Sequence, residues 1–197
     1  MDTNPDRADA DKSALSRRSF LKSSATAALG STLAAVNAQA ESEKPRPISI
    51  REENAKEGAR DWQLTRVRLD KNLGFRASNI EGYCSKQSVL AGESLDFMVS
   101  TNPPAKFIIE IFRTGYYGGR GARHMTTLGP FAGKKQPDPE IGEKRLRECK
   151  WEPSTSLKIP ADWPSGVYLG RLTTVPDADK PYWQNYTVFI VRDTRKA

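Results

Sequence analysis

Short segments in which apolar and polar residues alternate follow one another along most of the chain after residue 80. These segments span 80–85, 95–99, 107–111, 123–128, 155–159, 167–173 and 182–192. Turn residues separate them, and no sustained helical period interrupts the series. Seven or so short strands separated by turn signals predict an all-β fold, an immunoglobulin-like antiparallel β-sandwich with Greek-key connections.

The segment 159–168 supports this fold, because it reads as a corner that leads into a strand. Its sequence, Ile-Pro-Ala-Asp-Trp-Pro-Ser-Gly-Val-Tyr, places two prolines and a glycine before Tyr168. In immunoglobulin-like sandwiches a tyrosine at such a corner donates its hydroxyl to the local backbone. We expect Tyr168 to make this bond.

The residues before the strand series divide into two parts. Residues 62–69 alternate with one shift of parity, which predicts an edge strand with a bulge and places the sandwich domain at 62–193, before a tail at 194–197. Residues 41–61 are charged, contain Pro45 and Pro47 and lack an apolar period, so they predict a flexible leader with a short helical turn near 52–57.

The first forty residues carry an export motif. The run at 16–22 reads Ser-Arg-Arg-Ser-Phe-Leu-Lys and fits the twin-arginine pattern. The residues that carry it are Arg17, Arg18, Phe20 and Leu21. Residues 23–36 are uncharged and mildly apolar, too short and too polar for a membrane span, and Ala38 and Ala40 form a small-residue cleavage site.

Residues 1–40 are therefore predicted to be a twin-arginine (Tat) signal peptide, against the alternative of an alanine-rich surface helix. The Tat translocase is then a transient partner during export. The mature chain is expected in the periplasm or otherwise outside the cytoplasm, with no membrane span after cleavage and no nucleic-acid partner.

The charge distribution agrees with the absence of nucleic-acid binding. The chain of 197 residues has a formal net charge of +7. Its densest basic group, at 144–150, includes Glu148 and directly follows Glu143. Mixed charges of this kind are typical of a solvated surface rather than of a phosphate-binding stripe.

The two cysteines, Cys84 and Cys149, allow two interpretations. In an oxidising compartment two thiols often form a disulfide, which would close a loop of 65 residues here. The alternative is a pair of buried apolar thiols, and the sequence leaves both open.

Few residues offer catalytic chemistry. The single histidine, His124, lies in a predicted strand and is expected to face solvent or to make a hydrogen bond. The glycine-rich run 115–121 precedes a strand rather than a helix, so it predicts a wide hairpin and not a phosphate loop. We predict no catalytic residue, no metal ligand and no cofactor.

Aromatic residues remain the candidates for ligand or interface contacts. Tyr116 and Tyr117 in the glycine-rich run could stack on a ligand or cover the core, and Trp183 is a third candidate. Together with the other tryptophans they could form a platform for sugars. Because aromatic burial dominates small cores, most of them are expected inside.

Several strings resemble one known family, the N,N-dimethylformamidase large (beta) subunit-like proteins, in their amino-terminal immunoglobulin-like domain. These strings lie at 80–83, 88–89, 91–93, 99–101, 109–119, 149–151, 165–168 and 189–193. The resemblance covers most of the chain from Trp62 onward and consists of turn and strand motifs.

The resemblance implies an amidohydrolase context. In that family a larger catalytic domain, with an iron ion held by Tyr and Glu side chains, follows the sandwich. We expect no catalytic domain after the sandwich here, and no catalytic residue is carried over. The resemblance implies an exported non-catalytic domain, accessory to or truncated from such an amidohydrolase, with an amidase-type catalytic domain or subunit as its partner.

Two other functions remain open. The first is a stand-alone periplasmic module that binds glycans or cell-wall material through its aromatic residues. The second is a small hydrolase in its own right, for which one histidine and no paired carboxylates leave little chemistry.

Overall fold

Eight strands and one short helix make up the regular structure of this chain. The computed structural model describes residues 49–177 and 180–193. Helix α1 spans Ile50–Asn54. The strands are β1 (Glu81–Cys84), β2 (Ser88–Leu90), β3 (Ser94–Ser100), β4 (Lys106–Thr114), β5 (Ala122–Ala132), β6 (Thr155–Lys158), β7 (Gly166–Thr174) and β8 (Gln184–Arg192).

The strands form two sheets that enclose the core. One sheet has three strands in the order β1-β3-β6, and the other has five in the order β2-β8-β7-β4-β5. All neighbouring strands are antiparallel except β2, which runs parallel to β8. The chain passes from one sheet to the other at every connection except β4–β5 and β7–β8, and such crossings are typical of immunoglobulin-like domains. The predicted all-β sandwich is confirmed.

The core follows from the alternation seen in the sequence, because alternate side chains of a strand point to the same face. Leu95, Phe97 and Val99 of β3 are buried against Phe107, Ile109 and Ile111 of β4. An aromatic column runs through this layer. Trp163 stacks on Tyr168 at 5.0 Å, Tyr168 stacks on Phe189 at 5.3 Å, and Phe189 meets the edge of Phe97 at 6.0 Å.

The corner before β7 has the predicted geometry. The Tyr168 hydroxyl donates to the Pro164 carbonyl oxygen at 2.6 Å, and the whole side chain is buried. Burial raises the pKa of this phenol, so it stays a neutral donor. The expected tyrosine corner is confirmed.

Residues 62–69 differ from the prediction, since they form no strand. Residues 61–66, which we name the strap, lie instead across the outer face of the five-stranded sheet. Side chains fix its backbone. The Tyr186 hydroxyl donates to Trp62 O at 2.5 Å, and Thr65 N donates to Gln184 Oε1 at 2.9 Å. Alternation alone cannot tell strand pairing from such side-chain anchoring.

Two strands also differ from their predicted extent. The three-residue strand β2 lies in a stretch for which no strand was predicted, because three residues carry almost no periodicity. Strand β5 extends past the predicted end at residue 128 to Ala132, across an irregular pairing with β4.

The described part of the predicted flexible leader is structured. Ser49 and Glu52 form a reciprocal capping box at the start of α1, and Glu53 in that helix is fully buried. The expected helical turn is therefore present, two residues earlier than predicted. The rest of the leader, the signal motif, its cleavage site and the tail at 194–197 lie outside the described residues.

Removal of the tyrosine-corner hydroxyl tests the energetic role of this bond. We expect Tyr168→Phe to lower the free energy of unfolding by about 1–3 kcal/mol, because the buried Pro164 carbonyl loses its donor. Urea unfolding measures this. Tyr116→Phe is the matched control, since Tyr116 is 70% exposed and its loss should cost less than about 0.5 kcal/mol. Equal stabilities for Tyr168→Phe and the wild type would contradict this role.

Candidate functional site

The glycine-rich run connects β4 to β5 and directs its two tyrosines in opposite ways. Gly118, Gly119 and Gly121 have positive φ angles, which form the wide turn expected from the sequence. Tyr116 points into solvent. Tyr117 is 1% exposed, so its ring belongs to the interior.

A buried ionic network surrounds the Tyr117 hydroxyl. This hydroxyl donates to Glu53 Oε1 at 2.9 Å and accepts from Arg113 Nη1 at 2.7 Å. Glu53 also accepts from Arg123 Nε at 2.7 Å and from Lys56 Nζ at 2.7 Å. We name Glu53, Lys56, Arg113, Tyr117 and Arg123 the Glu53 network.

The network extends to the tyrosine corner. Arg113 is 3% exposed and donates from Nε and Nη2 to the Ser165 carbonyl oxygen at 3.2 and 2.8 Å. Ser165 directly follows Pro164, the acceptor of the corner bond. One chain of hydrogen bonds thus connects α1, the glycine-rich turn and the corner before β7.

Protonation within the network follows from burial and charge. Burial raises the pKa of the Glu53 carboxyl, but hydrogen bonds from Lys56, Arg123 and Tyr117 outweigh it and the pKa lies below the ordinary value. Burial, opposed by the Arg113 hydrogen bond, raises the pKa of the Tyr117 phenol. The carboxylate is therefore charged and the phenol neutral at neutral pH.

Close backbone approach seals α1 against the turn. Asn54 Oδ1 accepts from Tyr116 N at 3.0 Å. A Cβ atom at Gly115 would lie 2.5 Å from that same oxygen, and one at Gly58 would lie 2.7 Å from the Tyr117 Cβ. The glycines are needed here for contact as well as for turn geometry. Tyr117 is thus a structural residue, and only Tyr116 remains free to meet a partner.

A second polar network lies under the strap. Arg171 donates to both Glu110 oxygens, at 3.0 and 2.8 Å, and also to the Asp61 and Gln63 carbonyl oxygens. Its guanidinium lies 5.1 Å from the Phe112 ring centroid. The Nε, Nη1 and Nη2 atoms of Arg171 all donate hydrogen bonds within the domain, so the network fixes the strap.

The single histidine lies on the surface as expected. His124 is exposed on β5, where its Nε2 lies 2.9 Å from Thr127 Oγ1 and its ring packs edge-on against Phe112. It contacts no cysteine or carboxylate in the hydrogen bonds of the described residues.

The expectation that most tryptophans and tyrosines are interior is wrong, because the buried ones are Trp163, Tyr117 and Tyr168. Of the four tryptophans, Trp163 is in the core. The other three are half-buried and hold surface segments. Trp62 donates to Arg120 O at 2.8 Å, and Trp151 donates to Pro137 O at 2.8 Å. Trp183 packs under two arginines, with the Arg66 and Arg68 guanidiniums 5.0 and 5.9 Å from its ring.

The two cysteines are free thiols, and Cys84 lies on β1 whereas Cys149 is exposed. Cys84 points to the core, where its Sγ lies 3.1 Å from Thr187 Oγ1 and burial raises its pKa to about 11. The adjacent Tyr83 points outward and donates to the Cys149 carbonyl oxygen at 3.1 Å. Of the two interpretations, this geometry favours free thiols, but Cys149 is exposed rather than buried.

In residues 49–177 and 180–193, no group of three or more His, Cys, Asp or Glu side chains is placed to hold a metal ion. Over the same ranges, no helix has the length and apolarity that a bilayer crossing requires.

Residues 108–197 match the family model described as N,N-dimethylformamidase beta subunit-like, C-terminal. Over these residues the chain is similar to that family. The match begins inside β4 and includes the glycine-rich turn and the tyrosine corner, two of the motifs on which the resemblance was based. The family description is of a C-terminal region, so the amino-terminal placement inferred from the sequence stays a prediction. No curated protein matches the chain significantly.

The most consequential residue missed by the sequence reading is Glu53. The capping-box spacing of Ser49 and Glu52 signals a helix start, and could have located α1. Nothing local signals that the next carboxylate is buried, because Tyr117 and Arg123 lie 64 and 70 residues further along the chain.

We expect Glu53→Gln to lower the free energy of unfolding by about 1.5–3 kcal/mol at pH 7, the range for hydrogen bonds to charged groups. Glu57→Gln is the matched control, since that side chain is 84% exposed and its nearest cation, Arg120, is 3.7 Å away. Urea unfolding of both variants gives the comparison.

The same variants also have a pH signature. Because the folded-state pKa of Glu53 is lowered, its contribution is complete above the unfolded-state pKa of about 4.5 and disappears as the pH falls through the folded value. The difference in the free energy of unfolding between the wild type and Glu53→Gln should therefore decrease below about pH 4.5. A difference in the free energy of unfolding that stays constant down to pH 2 would contradict a lowered pKa of Glu53 in the folded state.

Proposed function

We propose that this chain is an exported, non-catalytic β-sandwich that serves as an accessory domain to the catalytic part of an N,N-dimethylformamidase-like amidohydrolase. The family match carries the proposal. It is supported by the commitment of the buried polar residues to the fold, since the Tyr117 hydroxyl is bonded on both sides by Glu53 and Arg113. No buried side-chain nitrogen or oxygen among the described residues lacks a hydrogen-bond partner.

An accessory domain needs a surface for its partner, and two neighbouring loops offer one. We name residues 69–76 and 137–147 the loop face. An ion pair ties them, with Arg76 Nη1 at 2.7 Å from Asp138 Oδ1, while Arg76 also binds Glu81 of β1 at 2.6 Å. These pairs hold both loops against the three-stranded sheet.

The loop face exposes large apolar side chains. Phe75 and Leu146 are 63% and 69% exposed, and Leu73 and Ile141 are also open to solvent. Exposed apolar groups of this size mark interaction surfaces when they cluster. Phe75 has a φ of 63°, a conformation that is costly for a bulky residue and is typical of functional positions.

The charge around these residues indicates what the partner presents. The pocket beside Ile141 and Leu146 is lined by the acidic residues Asp138, Glu140, Glu143 and Glu148 and by one cation, Lys150. The proposed occupant is therefore an apolar patch with a basic rim on the amidohydrolase catalytic part.

Binding to a catalytic chain of the dimethylformamidase type, encoded in the same genome, tests the proposal. We expect the two purified chains to co-elute in gel filtration, and the double variant Phe75→Ser and Leu146→Ser to abolish co-elution. Val188→Ser, at a residue 52% exposed on the other sheet, is the matched control and should co-elute normally. Normal co-elution of the double variant, or hydrolysis of N,N-dimethylformamide by this chain alone with iron, would contradict the proposal.

The export part of the proposal has its own test. Replacing Arg17 and Arg18 together by lysine should retain the unprocessed chain in the cytoplasm, whereas the wild type should appear outside it with residue 41 as its amino terminus. Arg7→Lys, outside the motif, is the control and should behave as the wild type. Cell fractionation and mass spectrometry measure both. Equal export of the twin-lysine variant would refute a twin-arginine route.

A further inference from the structure

A groove opens at the end of the sandwich opposite the glycine-rich turn. It has a volume of about 690 Å³, within the range of small-molecule sites. Its walls are formed by residues 103–105 of the β3–β4 loop and by residues 175–177, 180, 181 and 183 of the β7–β8 loop. The start of β4 and the end of β7 close it. In immunoglobulin-like domains the corresponding loops lie at the end that binds ligands in variable domains.

The groove carries an excess of positive charge. Among the described residues that line it, there are three cations, Arg68, Lys106 and Lys180, and one acidic residue, Asp177. None of these three cations makes an ion pair with a carboxylate among the described residues, unlike Arg76, Arg123 or Arg171 elsewhere in the fold. Three cations that line one groove beside a single described carboxylate favour an anionic ligand.

An indole orders part of this charge. Trp183 lines the groove and packs beneath the guanidiniums of Arg66 and Arg68, the first of which is also 6.0 Å from the Tyr182 ring. Arg66 O accepts from Gln184 N at 2.9 Å, so the backbone that carries these arginines is fixed to β8. Stacking on the indole leaves the edge N–H groups of each guanidinium free to bind oxyanions.

The walls disfavour an extended peptide. Pro103, Pro104, Pro176 and Pro181 contribute four of the lining residues, and proline has no backbone N–H to donate. Strands β4 and β7 lie inside the five-stranded sheet, so neither offers a free edge for an added strand. Recognition must therefore use side chains and flat apolar rings, which suit the faces of sugars.

We propose that this groove binds an acidic glycan, a chain of sugars that carry carboxylate groups, with Arg68 and Lys106 binding the carboxylates and the prolines contacting the rings. Asn79, which also lines the groove, supplies an amide for sugar hydroxyls. This inference is independent of the accessory role, because the groove does not include the loop face.

Titration calorimetry with defined oligosaccharides tests the site. The probes are a galacturonate oligomer, a mannuronate oligomer and a muramic-acid-containing glycan fragment, and the methyl ester of the galacturonate oligomer is the neutral counterpart. We expect at least one acidic probe to bind the full chain and the methyl ester to bind at least tenfold more weakly. Binding of none of the three acidic probes would overturn the proposal.

Charge variants show whether the groove is the site. Arg68→Gln and Lys106→Gln should each weaken binding at least fivefold. Arg192→Gln and Lys158→Gln carry the same charge change at the opposite end of the sandwich and should bind as the wild type does. Both groove positions are exposed, so unchanged thermal unfolding will show that the variants fold.

Two results would refute the assignment. Equal weakening in all four variants would mean that binding follows net charge alone. Poly-glutamate binding with the same variant dependence and equal affinity would assign the groove to acidic peptides instead. Failure of the chain to co-elute with a catalytic partner would not change the result of the oligosaccharide titration. Each of the two proposals can therefore be refuted without the other.

Discussion

The aromatic column of Trp163, Tyr168, Phe189 and Phe97 joins the two sheets, and the other features of the domain are arranged around it. Three of its rings come from the corner, β7 and β8, and the fourth comes from β3 in the opposite sheet. Burying such rings is the largest favourable contribution available to a domain of this size. The corner bond of Tyr168 then fixes the chain where it passes between the sheets.

The polar networks attach to the sheets two segments that do not pair as strands, helix α1 and the strap. The Glu53 network holds α1 on the glycine-rich turn and reaches the corner through Arg113. Arg171 holds the strap against the outer face of the five-stranded sheet. Both arginines are nearly buried. Arg171 clamps its sheet to the strap, which precedes it in sequence, and Arg113 clamps the same sheet to the turn and the corner, which follow it.

The sequence predicted the parts of the fold that depend on local periodicity. Strands such as β3, β4, β7 and β8 alternate over seven to nine residues, and the corner motif is contiguous. Features that depend on distant partners were not predictable. The burial of Glu53, the strap and the parallel pairing of β2 each rest on contacts with residues far along the chain.

The same limit applies to the candidate sites. Tyr116, Tyr117 and Trp183 were equivalent as aromatic residues in turn regions of the sequence. The structure separates them, because Tyr117 has a carboxylate and a guanidinium to bond, Tyr116 has solvent, and Trp183 has two arginines above it. The groove was not predictable, because the two loops that line it lie about seventy residues apart in the sequence and meet only in the folded chain.

The irregular outer strands of this sandwich have a consequence for its behaviour in a crowded compartment. Strand β5 carries Pro130 and two register shifts against β4, β2 has three residues, and β1 and β6 have four each. Short or interrupted borders are poor templates for strand addition. Two copies that meet by chance cannot readily pair their edge strands through main-chain hydrogen bonds. Selective association must therefore proceed through side chains.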